Sequence, residues 1–225
     1  MDIIAAPRNI YSYLMKKDVI SDFGKKIFIN NFYYRTSSYS KAILSEYANF
    51  SNYVHIFDDT SKLSTMQTET AIQKNMIGAD AKSIIDKHGK PEFIYKENDI
   101  SVFVYKWKFN SLKTRCEIHL FRNKVFLINY TYNQLNQSER SYVLETLSNK
   151  YIGKVLTEAE MFQSKICDKE NNVLFVDDFM QGLKVTYLSS CEADWYEAMK
   201  AEMNIRKNKL NEKMKKAECR FIDSL

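Results

Sequence analysis

Between Ile77 and Tyr132 the chain passes from a short helical pattern, through Gly89-Lys90-Pro91, into runs that alternate apolar and polar residues. No other stretch restricts the fold as strongly. Ala79-Asp80 offers a cap, Ala81, Ile84 and Ile85 make an apolar stripe, and His88-Gly89 ends the helix, because glycine takes the left-handed conformation that closes a last turn. Pro91 then prevents continuation, having no backbone N–H to give. Ser101 to Phe109 alternates, with Phe103, Tyr105, Trp107 and Phe109 on one face and Val102, Val104, Lys106 and Lys108 on the other. Asn110-Ser111-Leu112-Lys113 reads as a hairpin loop, and Thr114 to Phe121 follows with Cys116, Ile118 and Leu120 on one face. Arg122-Asn123-Lys124 connects tightly to Val125 through Tyr132, which completes a meander.

The same order returns more faintly. Ser138 begins a helix carrying Tyr142, Val143, Leu147 and Tyr151, Gly153 ends it, and strands are expected at Phe162 to Asp168, Val173 to Asp177 and Leu183 to Leu188. The spacing predicts an α+β fold with an antiparallel sheet from two successive helix-plus-strands units, a helical N-terminal third and a long C-terminal helix. The divisions fall at 1–75, 76–135, 136–190 and 191–225, the last being a basic amphipathic helix. Identity between the two units is too weak to establish duplication, so related modules and coincidental αβ units both stand open.

The run Ile77-Gly78-Ala79-Asp80 through Gly89-Lys90-Pro91, with its strands ending in Asn123-Lys124-Val125-Phe126-Leu127-Ile128, resembles the SmpA/OmlA (BamE-like) domains. The resemblance spans about a quarter of the chain. It implies a helix, a Gly-Lys-Pro-like turn and an antiparallel sheet with an aromatic strand, in a general shape shared with the β-lactamase-inhibitor-protein fold. It also implies action by contact and not by catalysis. Members are mostly envelope lipoproteins or secreted binding proteins, whereas this chain shows neither a signal-peptide-like apolar run nor a lipidation cysteine near its start.

Composition removes several classes. A hydrophobic content of 45% over 225 residues can bury a substantial core. No segment reaches about 18 consecutive apolar residues, so no membrane span is expected and a soluble, cytoplasmic protein is the reading. The five glycines are too far apart for a dinucleotide fingerprint or a P-loop. Cys116, Cys167, Cys191 and Cys219 form no CxxC pair and read as free thiols, so neither a metal nor another cofactor is expected.

Two features could carry function. Arg115, Glu117 and His119 lie at i, i+2 and i+4 of one strand and could present an anion clamp, an acid and a base together. The competing and favoured reading makes them the solvated side of the sheet. The second feature is the C-terminal helix, where eight basic and three acidic residues lie between Lys200 and Arg220, a surplus equal to the whole chain's net charge of +5. Along it Met203, Leu210, Met214 and Phe221 recur at helical spacing, with Trp195 and Met199 ahead of them. That stripe suits packing on the protein's own body or pairing with a protein partner or a second copy. Nucleic acid is a weaker expectation, because no aromatics interleave the basic residues for base stacking. The reading is therefore a non-catalytic binding or protein-interaction module, acting through an exposed sheet face or this helix. A small-substrate enzyme using Arg115, Glu117 and His119 is the alternative, and binding of nucleic acid or an anionic surface the third.

Overall fold

A computed structural model describes residues 50–58, 63–97, 99–179 and 182–222. The expected helices of the first 49 residues lie outside that range. Five helices are described: α1 (Phe50–Phe57), α2 (Ala81–His88), α3 (Gln137–Tyr151), α4 (Glu158–Phe162) and α5 (Asp194–Ile222). Eight strands accompany them: β1 (Ser64–Gln67), β2 (Phe93–Glu97), β3 (Ile100–Phe109), β4 (Leu112–Phe121), β5 (Lys124–Tyr132), β6 (Ser164–Cys167), β7 (Val173–Phe179) and β8 (Gly182–Leu188). They form one sheet in the order β1-β6-β7-β8-β5-β4-β3-β2, antiparallel except for β1 against β6. The architecture is α+β, and both helix-plus-strands units enter the same sheet.

Local sequence dictates the first unit closely. Asp80 caps α2 by accepting from the Ser83 N–H at 2.8 Å, and Gly89 closes it at φ 79° with its N–H bonded to Ile85 O. The β3–β4 and β4–β5 hairpins turn on two residues each, Asn110-Ser111 and Arg122-Asn123, all at positive φ. That geometry matches the right-handed twist of the flanking strands. Leu112 and Lys124 therefore already belong to strands, where the sequence suggested loop. α3 begins at a reciprocal capping box between Asn136 and Glu139.

Both faces of the sheet are covered. On one, Ile84 of α2, Val143, Leu144, Leu147 and Tyr151 of α3 and Met161 of α4 pack on Tyr105, Ile118, Ile128, Val185 and their neighbours. On the other, Tyr53 of α1 meets Phe175, and Trp195 of α5 stacks on Phe126 with ring centres 5.2 Å apart. Trp195 is fixed further by donating from Nε1 to Ser189 Oγ at 2.6 Å. Val102 and Val104, on the face opposite Phe103 and Tyr105, are accordingly as buried as they are.

The connection ahead of α2 is held by Asp168. This buried carboxylate accepts from the backbone N–H groups of Ile72, Glu170 and Asn172 at 2.8–2.9 Å and from Asn172 Nδ2 at 3.1 Å. It thereby seats Ile72 and Met76 in the core. β1, in a region the sequence suggested to be helical, is a correction. Ser64-Thr65-Met66-Gln67 carries no alternation of its own and becomes a strand by pairing with β6, about a hundred residues onward.

Two expectations follow. Gly182, at the start of β8, lies so close to β5 that an added Cβ would sit 1.8 Å from Tyr132 O. Gly182→Ala should lower stability by about 1–3 kcal/mol in urea unfolding, because backbone and not a side chain must yield. Asp168→Ala, which orphans three backbone donors, should cost at least about 2 kcal/mol, with hydrogen exchange at Ile72 accelerated beyond the global change.

Candidate functional site

The sheet brings Arg115, Glu117 and His119 together, as their spacing requires, on the face where Tyr53 meets Phe175 and Trp195 meets Phe126. Three cross-strand rows run over that face. Val102, His119, Leu127, Leu188 and Val173 form an apolar row interrupted only by the imidazole. Val104, Glu117, Asn129, Thr186 and Phe175 form the next, and Lys106, Arg115, Thr131, Lys184 and Asp177 form a charged third. The polarity grades from dry to charged across about 14 Å of strand, two residues per row at roughly 3.4 Å each.

The solvated-face reading is overturned: the side chains of Arg115, Glu117 and His119 are 24%, 1% and 0% exposed. An exposed sheet face is likewise not what the central strands offer. Arg115 Nε lies 3.0 Å from Glu117 Oε1, an ion pair whose angle falls short of an aligned hydrogen bond. His119 Nε2 lies 3.7 Å from Glu117 Oε2. Burial works against the Glu117 charge, but the His119 ring, the Arg115 guanidinium and the Lys184 ammonium outweigh it and hold the carboxyl below its ordinary value of 4.5. Alongside, Thr186 Oγ1 donates to Asn129 Oδ1 at 2.9 Å, and Lys184 Nζ donates to Tyr53 Oη at 3.3 Å.

Chemically, the arrangement keeps a carboxylate charged in a dry setting, and removing one member would strand the others. Two clefts bounded by described residues, of about 510 and 340 Å³, are lined by neither Arg115, Glu117 nor His119. Asn129, Lys184 and Thr186, which complete the rows, carried no sequence signal because their relation to Glu117 arises only when β8 pairs with β5. Among the described residues no three His, Cys, Asp or Glu side chains gather as a metal-holding set. Cys116, Cys167 and Cys191 are free thiols.

The C-terminal helix behaves as two segments. Trp195, Tyr196 and Met199 are buried, Phe57 of α1 lies 6.1 and 5.9 Å from the first two rings, and Tyr196 Oη donates to Asp58 Oδ1 at 2.8 Å. Beyond Lys200 the contact lapses. Met203 is half-buried, Ile205 is exposed, and every residue from Asn211 to Lys216 is exposed, including Met214 at 55%. Six consecutive exposed positions exceed a full turn, so this part does not lie along the body. Leu210 and Phe221 belong to the same helix, but their side chains lie outside the described residues. No described helix is long and apolar enough to cross a membrane.

Comparison with known proteins adds little. No protein-family model matches the chain, and no curated protein does. Among solved structures, a cysteine-rich secretory protein from Staphylococcus aureus subsp. aureus Mu50 aligns at 16% identity over 56% of this chain, with a TM-score of 0.34. The alignment takes in 50% of that protein, so the chain spans half the length of the structure it matches.

The folded-state pKa of Glu117 lies below its unfolded value, so the unfolded chain takes up more protons as pH falls and stability declines with it. The contribution is full above about pH 4.5 and is lost as pH falls through the lowered value. Urea unfolding between pH 3 and 7 should show a steep acid loss in the wild type and a shallower one in Glu117→Gln, which starts from a lower plateau.

Proposed function

We propose that the chain is a non-catalytic interaction protein that holds the outer part of α5 toward a protein partner bearing an acidic, amphipathic surface. The carrying observation is the division of α5: its first turns are locked to α1 and the sheet, while Asn211 to Lys216 stand free of the body on every side. At 29 residues the helix is about 43 Å long, and a solvent-surrounded segment of that kind draws little stability from propensity alone. Met203, Leu210, Met214 and Phe221, spaced seven, four and seven apart, keep one line on a straight helix because eighteen residues make five turns. The surplus of basic residues around that line favours an acidic partner over a second copy, in which like charges would face each other.

Two further points support a contact function. Both sheet faces are occupied by the chain's own helices, which leaves α5 as the extended element offered outward among the described residues. The order α2, Gly89-Lys90-Pro91, then β2 to β5 is also the order that a resemblance to SmpA/OmlA domains implies, and we carry that relationship as part of the proposal. The enzyme reading has the closeness of Arg115, Glu117 and His119 in its favour, but the described clefts do not reach them.

Affinity capture from the native cell with the full chain, after nuclease treatment and at about 0.5 M salt, tests the reading, since apolar helix pairing survives screening that removes phosphate contacts. An acidic protein should be retained by the wild type and lost with Met214→Asp, whose thermal midpoint stays near the wild-type value because Met214 is exposed. Retention of nuclease-sensitive material alone, or equal capture by the variant, would refute it.

A further inference from the structure

Four tyrosines and one cysteine from four elements converge beneath the helix-covered face of the sheet. Tyr130 and Tyr132 come from β5, Tyr187 from β8, Tyr151 from the last turn of α3 and Cys116 from β4. Tyr130 stands opposite Cys116 across the β4–β5 pair, and its Oη donates to Met76 Sδ at 3.9 Å. Burial, reinforced by the Cys116 thiol beside Tyr130 and Tyr132 and by neighbouring hydroxyls around Tyr130 and Tyr187, pushes Tyr187 and Tyr130 well above the usual phenol range and Tyr132 up to about 12. These three phenols are therefore all neutral at pH 7 and able to donate. Tyr151, 3% exposed and close enough to influence both Tyr130 and Tyr187, has no hydrogen-bond partner for its hydroxyl among the described residues.

A cleft of about 340 Å³ opens beside this cluster, between α3, the β3–β4 turn and β5. Tyr130, Tyr132 and Tyr187 line it, and Phe109 and Tyr142 remain in water there at 44% and 48% exposure. Asn110 Nδ2 donates to Tyr142 Oη at 2.7 Å and so fixes that ring across the gap between turn and helix. The ring centres of Phe109 and Tyr130 lie 6.1 Å apart, and those of Tyr130 and Tyr187 5.6 Å apart, both pairs edge to face. Walls of this kind favour a flat, π-rich guest. Lys150 is the one charged residue among the described lining and no carboxylate joins it, so a cationic guest is disfavoured. The volume sits at the small-molecule end of ligand sites.

We propose that this cleft binds a small planar aromatic molecule, neutral or singly anionic, which stacks among Phe109, Tyr130 and Tyr142 and directs a hydrogen-bond acceptor to the tyrosine hydroxyls. The site is separate from the outer part of α5, and its occupancy does not depend on any partner of that helix.

The probe is coumarin, a planar bicyclic lactone with a carbonyl acceptor, added to the full chain and followed by saturation-transfer NMR and calorimetric titration. Coumarin should bind in the sub-millimolar range. Thr146→Trp, which fills the cleft from an exposed position on α3, should weaken it at least tenfold, and Tyr142→Ala, which removes one wall, about five- to tenfold. Saturated octahydrocoumarin, with the same acceptor but no flat ring, should bind at least tenfold more weakly than coumarin. Thermal midpoints of the two variants near the wild-type value show that the fold is intact, and if Thr146→Trp falls short of this, Tyr142→Ala alone decides. No saturation transfer at about 1 mM coumarin, or equal affinity in the wild type and the deciding variant, would overturn the proposal.

Discussion

The pairing of β5 with β8 is the joint on which the rest of the molecule depends. Six residue pairs, from Leu127 opposite Leu188 to Tyr132 opposite Leu183, unite β2 to β5 with β6 to β8. Without them the chain would hold two small sheets, each with one more open edge and less shared core. The approach is close enough that Gly182 has no room for a side chain against Tyr132 O. Arg140 reinforces it from α3, donating to Gly182 O at 2.9 Å while its guanidinium pairs with Glu158 and Asp178. The same joint assembles the cross-strand rows on one face and the tyrosine cluster on the other, since each draws residues from both sides of it.

The part of this structure that was legible in the sequence is the part fixed by neighbours along the chain. The caps of α2, the alternation of β3 and β4 and the turns between them are each specified within about ten residues. The two hairpin loops proved two residues long because Asn110, Ser111, Arg122 and Asn123 accept positive φ, a feature that residue types only hint at. β1 was hidden because its partner lies far along the chain. The burial of Glu117 and His119 was hidden for a related reason. Charged residues alternating along a strand ordinarily face water, whereas Glu117 and His119 are buried by tertiary packing that the strand's own pattern does not announce. The stripe on α5 read as continuous, yet among the described side chains it divides beyond Lys200: Trp195, Tyr196 and Met199 are buried, whereas Met214 is exposed.

Among the described residues, both faces of the sheet are occupied. The two sides differ. On the α3 side the aromatic residues of β3, β5 and β8 form a dry, hydroxyl-rich interior that opens at the β3–β4 turn. On the α1 side, the rows pass from apolar to charged, with Arg115 paired to Glu117, and a tryptophan anchors the first turns of α5. Opposite charges buried together need each other, because removing one leaves the other uncompensated in a dry setting.

The strand order has a consequence at the margins. Among the described strands the outermost, β1 and β2, are four and five residues long, whereas the strands flanking the joint run from seven to ten. β2 carries Lys96 and Glu97 near its end, and β1 is polar throughout apart from Met66. Among the described strands, borders this short give an incoming strand little length to extend.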